Sequence, residues 1–219
     1  MLAEERVALR HGHAETLVPL IERIMAKAGS APTQLDTIAV ATGPGSFTGI
    51  RVGLAAAHGI ALATGARLIG VTSFAAVAAS VQRDAVAIVP EAILVALDSR
   101  RPDLYVQLFA ADGGDRPLSP PGAVLPEELA DFVGRHAVAG TGLMVAGDAA
   151  AQAAAALDGL VAFAVVPDTA PDARGVAAAV ARWQWRAGDA PPAPARPLYL
   201  RPPDVTLPKR PQPAPAHPA

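Results

Sequence analysis

Cysteine is absent from the 219 residues, which excludes a disulfide framework and any thiolate metal site and fits a chain kept in a reducing cytoplasm. There is no run of Lys or Arg either, and the formal net charge is −2. A chain so balanced has no electrostatic footprint for gripping nucleic acid alone, so contact with RNA requires a partner to supply the charge. The N-terminal "MLAEERVALR" lacks the apolar core of a signal peptide. No stretch reaches roughly 18 uninterrupted apolar residues, so no membrane span is expected and the chain reads as cytoplasmic. Aromatics are few, at 4%. Ala, Val and Leu are what is abundant: the apolar fraction is 52%, ordinary for globular protein and far from disorder. Such a chain is long enough for one large domain or two small ones with real cores.

Strand and helix signals alternate in two blocks. "RVALR" (6–10) reads as a short strand. A helix follows, with Leu17, Leu20, Ile21, Ile24 and Ala28 at helical spacing and Gly29 as its stop. Pro19 lies inside it and is expected to cost one backbone hydrogen bond and leave a kink. "DTIAVAT" (36–42) is a buried strand, and a glycine-rich loop leads to a second helix, capped by Ser46 or Thr48 and ended by Gly65. "RLIGV" (67–71) and "SFAAVAASV" (73–81) give a third strand and helix. After Pro90 the pattern restarts with a hairpin, "AILVALD" (92–98) and "LYVQLFAAD" (104–112). Helix (126–134), strand (143–148), helix (149–157), strand (163–167) and helix (172–187) complete it. The expected organisation is two α/β lobes with mostly parallel pairing, 1–90 and 91–190, and a tail, 191–219, holding half of the 22 prolines and ordered only where "PLYLR" finds a surface.

The loop "ATGPGSFTGIRVG" (41–53) is the least ordinary stretch. A P-loop needs a Lys after its last Gly, and here Ile50 follows Gly49. A dinucleotide fingerprint needs G-x-G-x-x-G; Gly43, Gly45 and Gly49 are spaced one residue too long, and Pro44 removes a donor. Nucleotide binding is not supported by motif. Free N–H groups at the start of the second helix and nearby Arg51 leave room for an anion. The glycines are read in preference as permitting a tight turn against a neighbouring backbone. His11 and His13 form H-x-H, whereas a helical metal pair needs i and i+4, and Leu17 occupies that position. Ser46 sits in "GPGSF", not in a G-x-S-x-G elbow. Asp98 and Asp103 flank a hairpin turn, where carboxylates are usually solvated. No catalytic constellation, metal site or cofactor site is expected.

The strings "GHAETLVPLI", "GPGSFTGIRVGLAAAHGIAL", "IGVTSFAAVA", "LVALDSRRPDLYVQLF" and "PLYLR" together resemble the TsaB (YeaZ) family. The resemblance implies two ribonuclease-H-like lobes of the actin and sugar-kinase superfamily. It implies a non-catalytic subunit in the threonylcarbamoylation of adenosine 37 of tRNAs reading codons that begin with A. The catalytic partner would be TsaD, with the ATPase TsaE joining and TsaC supplying threonylcarbamoyl-adenylate; tRNA would be met only through the complex. The catalytic relative carries an H-x-x-x-H metal pair, which here reads His13-x-x-x-Leu17. A rival reading is an independent metal- or ATP-dependent enzyme of the same superfamily, a peptidase or ATPase. Another is an adaptor for an unrelated partner.

On this reading Gly43, Pro44, Gly45, Ser46, Phe47, Thr48, Gly49 and Arg51 form a structural loop that launches the second helix beside the first. Gly53, Ala57 and Ala61 recur every four residues, a shallow face for a neighbouring helix. Arg51, Leu54, Ala55, His58 and Leu62 form a second stripe. With Leu17, Leu20 and Ile24 of the first helix, Arg51, Leu54 and His58 are the expected interface with TsaD, or with a second copy when TsaD is absent. Leu54 is weighted equally as core. The family's opening strand-turn-strand with a D-T-S signature is not present before His13. The first lobe is therefore expected to lack its first two strands, and an in-frame extension of about 25 to 35 codons upstream of Met1 is expected by analogy with the family and from usual strand lengths. The alternative is a shortened paralogue whose "RVALR" strand pairs directly with "DTIAVAT".

Overall fold

The computed structural model describes residues 1–9, 12–81, 90–111, 116–137, 142–159, 163–166, 169–183 and 195–201. His11, Arg10 at the end of the expected first strand, the last residues of the expected final helix (184–187) and most of the tail lie outside the described residues.

Short-range stop and start signals set the helix limits. Helix α1 (His13–Ala28) ends at Gly29, whose left-handed backbone (φ 63°) returns its N–H to the carbonyls of Met25 and Ala26. After strand β1 (Thr37–Gly43), helix α2 (Phe47–Thr64) starts where the Ser46 hydroxyl accepts from the Gly49 N–H, and it stops at left-handed Gly65. Strand β2 (Arg67–Thr72) runs straight into α3 (Ser73–Ser80), with Thr72 capping the Ala75 N–H. The hairpin β3 (Ala92–Asp98) and β4 (Leu104–Ala110) follows. Beyond it come β5 (Gly122–Val124), α4 (Leu129–His136), β6 (Leu143–Ala146), α5 (Ala150–Leu157), β7 (Phe163–Val166) and α6 (Ala173–Arg182). Strand β5, three residues long, is too short to carry an alternation and was not expected.

The second block forms one sheet in the order β5-β4-β3-β6-β7. Its first three strands in sequence pair antiparallel, and β6 and β7 pair parallel to β3, the order 3-2-1-4-5 of a ribonuclease-H-like sheet. Strand β3, paired on both sides, is almost wholly buried. The first block forms a two-stranded parallel sheet, β1 with β2. Helix α3 lies between the two sheets. Phe74, Val77, Ala78 and Val81 pack on Ile93, Val95, Phe109 and Met144 of the larger sheet. Ala76 and Ala79 pack on Ile69 and Val71 of the smaller one, together with Val176 and Ala179 of α6. Helices α4 and α5 cover the other face of the larger sheet through Leu129, Phe132, Ala153 and Leu157.

One expected element is not formed. Residues 6–9 of "RVALR" have no regular secondary structure, so the first sheet has two strands rather than three. A strand exists only by hydrogen bonding to a neighbour, and among the described residues no strand pairs with this segment. Ion pairs hold it instead: Glu5 meets Arg23 at 2.6 Å and Lys27 at 2.9 Å, both on α1, and Glu4 meets Arg174 on α6 at 2.6 Å.

Candidate functional site: the glycine loop, the first two helices and a C-terminal strap

The loop from β1 to α2 is shaped by contact with the end of the chain. Gly43 has φ 99° and precedes a cis bond to Pro44. A Cβ on Gly43 would stand 3.3 Å from the Leu198 carbonyl oxygen, so a side chain there would be both strained and crowded. The neighbouring backbone is the segment 195–201, a strap that ties both sheets. The Leu198 N–H donates to the Thr42 carbonyl at 2.8 Å. Leu198 and Leu200 pack against the core of the larger sheet. Tyr199 reaches the first block, where its hydroxyl accepts from Arg51 Nε at 2.9 Å and its ring lies 5.7 Å from that of Phe47. Arg51 also stacks on Phe47, 3.7 Å from the ring centre.

The strap's last described residue corrects one expectation. Asp103 is not solvated; it is 4% exposed, ion-paired with Arg201, and its carbonyl and carboxylate accept from the Ser99 hydroxyl. A buried carboxylate needs a cation and hydrogen bonds, and the strap brings the cation. Asp98, by contrast, remains exposed and accepts from the Arg100 N–H. Sequence reading had marked "PLYLR" as the ordered part of the tail, but Tyr199, Arg201 and Asp103 as a set were missed. The partners lie up to 148 positions apart, and no local pattern announces such a contact.

The two stripes assigned to α2 are divided differently from the expectation. Leu54 is 5% exposed and belongs to the core, whereas Arg51, Ala55, His58 and Leu62 are exposed. Leu54 lies three residues after Arg51, a net offset of about 60° around the helix, which sets it at the edge of the stripe towards buried Ala57. The small-residue face lies mainly on β1, with Gly53 also bordering the groove beside α1. A Cβ on Gly53 would lie 3.8 Å from Val40 of β1, and Ala57 is buried, so this face seats α2 on its own sheet. His58 Nε2 donates to the Ala195 carbonyl at 3.0 Å, so His58 and Arg51 are partly engaged by the strap.

Helix α1 has no buried residue. Leu17, Leu20 and Ile24 are half-buried. Leu17 and Leu20 line a groove of about 360 Å³ with Val7 and Leu9 of the N-terminal segment and Val52 and Gly53 of α2. Val18 is 52% exposed and Leu62 89%, large for apolar side chains. Helix α2 is long and apolar enough to cross a membrane by length and composition, yet here it packs on β1. Among the described residues no three His, Asp or Glu side chains converge as a metal set.

A second cavity, about 270 Å³, opens where the glycine loop, the hairpin β3–β4 and the strap meet. Phe47, Tyr105 and Tyr199 give it aromatic walls, with Ile50, Leu198 and Leu200 beside them. Among the described residues Arg51, Arg101 and Arg201 are its charged lining, with no carboxylate beside them.

Comparison with known proteins fits this architecture. Residues 6–132 match the family model described as "TsaD: tRNA N6-adenosine threonylcarbamoyltransferase". The chain is 31% identical over 100 residues to the tRNA threonylcarbamoyladenosine biosynthesis protein TsaB of Escherichia coli, a match spanning 46% of this chain and 42% of that protein. It is 34% identical over 202 residues to an uncharacterized protein of Mycobacterium tuberculosis, covering 92% of this chain and 81% of the other. The solved structure of YeaZ from Pseudomonas aeruginosa superposes with a TM-score of 0.69 at 26% identity, over 89% of this chain and 87% of that one. The family model spans more than half of the sequence and the folds agree: the chain belongs to this family, in its TsaB (YeaZ) branch.

Proposed function

We infer that the chain acts in tRNA threonylcarbamoyladenosine biosynthesis as a non-catalytic scaffold subunit that binds TsaD for the modification of adenosine 37 in tRNAs reading ANN codons. Its membership of the TsaB (YeaZ) branch carries this reading. The surface supports a scaffold. Helix α1 buries no residue and α2 only Leu54 and Ala57, and the apolar side chains Val18 and Leu62 stand exposed on their outer sides. An apolar face of this kind on a free chain marks a protein–protein contact. The proposed interface is α1 and the outer side of α2, with Leu17, Leu20, Ile24, Arg51 and His58 at its edge and Leu54 beneath it. A second copy would occupy the same face when TsaD is absent, and the two assemblies would compete. TsaE would join the TsaB–TsaD pair, tRNA would be met only through the complex, and the chain would work in the cytoplasm. The imidazole of His13 and the isobutyl group of Leu17 cannot replace a pair of metal-binding histidines, in keeping with a subunit that leaves chemistry to its partner.

Depleting the chain in its native cells and quantifying threonylcarbamoyladenosine in bulk tRNA by mass spectrometry tests the reading. The expected result is a severalfold fall in that nucleoside with other modifications unchanged. An unchanged level on full depletion rejects the assignment.

A further inference from the structure

We propose that the cavity between the glycine loop, the β3–β4 hairpin and the strap is a binding site for a small anion built on a planar ring, such as a phosphate ester of an aromatic or heterocyclic group. Nothing in the scaffold role requires it. At about 270 Å³ the cavity lies just under the ~300–1,000 Å³ typical of small-molecule sites, which suits a ring bearing one anionic group rather than a dinucleotide. Phe47, Tyr105 and Tyr199 offer flat faces, and Ile50 closes the apolar side.

The charge has a definite source. Arg201 is neutralised by buried Asp103. Arg51, in contrast, meets only aromatic groups among the described residues: the Tyr199 hydroxyl takes its Nε, and the Phe47 ring lies under its guanidinium. Ring and hydroxyl fix the plane of the guanidinium while its terminal N–H groups keep donors for an oxyanion. A fixed guanidinium binds phosphate or carboxylate through two parallel hydrogen bonds without the entropy cost of ordering a loose side chain. The site differs from a P-loop, since it depends on a side-chain cation held by aromatics and not on a cradle of backbone amides. Because Leu198, Tyr199 and Leu200 form part of the wall, a bound ligand would also fasten the strap to the first sheet.

Calorimetry on the purified full chain with four probes, phenyl phosphate, adenosine monophosphate, adenosine and inorganic phosphate, tests the proposal without any partner present. Either or both ring phosphates are expected to bind one-to-one, with adenosine and inorganic phosphate about tenfold weaker or more, as expected for loss of a charge-assisted pair or of the stacking surface. Arg51→Gln is expected to weaken the ring phosphates by a similar factor with the fold retained by circular dichroism. Arg51→Lys should keep part of the affinity, and Arg135→Gln on α4, across the larger sheet, should change nothing. The proposal is overturned if neither ring phosphate binds, if inorganic phosphate binds as tightly as they do, or if Arg51→Gln binds them as well as the unaltered chain.

Discussion

Leu54 shows how far side-chain spacing can be trusted in a helix that lies on a sheet. The stripe through Arg51, Leu54, Ala55, His58 and Leu62 is regular in sequence, yet Leu54 alone turns into the core. Spacing gives the relative angles of residues on a helix but not the absolute rotation of that helix against its sheet, which the long-range fit of Gly53 to Val40 decides. Shortening Leu54 to Ala is therefore expected to cost about 2–5 kcal/mol of stability, the range for emptying a packed leucine site. Leu62→Ala, at 89% exposure, should stay within about 0.5 kcal/mol. Urea denaturation of both variants checks this, and equal midpoints would place Leu54 at the surface after all. Asp103 teaches the same lesson from a charged residue: a carboxylate in a turn is solvated by default, and only a cation from the far end of the chain reverses that.

Elements with punctuation of their own were legible. Helices α1 and α2 end at glycines that take left-handed backbone, α2 and α3 start at hydroxyl caps, and the hairpin shows two apolar runs across a polar turn. Residues 6–9 of "RVALR" have strand composition and form none, because composition cannot supply a neighbouring strand. The approach of α6 to α3 was equally invisible: a Cβ on Gly175 would lie 2.4 Å from the Ala76 carbonyl oxygen, so only a glycine allows these helices to touch. The N-terminal segment is held to α1 electrostatically. Hydrogen bonds from Arg23, and then from Lys27, hold the Glu5 carboxyl down from its ordinary 4.5 to about 2. A depressed carboxyl stabilises the contact above its unfolded value and loses that contribution as the pH falls from about 4.5 towards 2. In low salt, an NMR titration should find Glu5 well below the ordinary value, and Arg23→Gln should bring it back up; screening by salt should do so in part. A Glu5 that titrates at its ordinary value in the unaltered chain would mean that the segment is not docked.

At the scale of the molecule, α3 joins two sheets through a shared core and the strap 195–201 ties them again from outside. The alternation of strands and helices made two α/β lobes readable and the family resemblance implied their ribonuclease-H-like order, whereas the strap's route had no local signature. This leaves a braced body whose first two helices display apolar side chains outward, the feature on which the proposed binding of TsaD rests. Affinity capture of the tagged chain from its native cells, beside a Val18→Glu/Leu62→Glu form, tests that claim most directly. Both positions are exposed, so the fold should survive, while an unpaired charge buried in an interface costs about 2–5 kcal/mol of association. The account predicts TsaD in the eluate of the unaltered chain and its loss, by about thirtyfold or more, from that of the double variant. TsaD missing from the first eluate, or undiminished in the second, would contradict it.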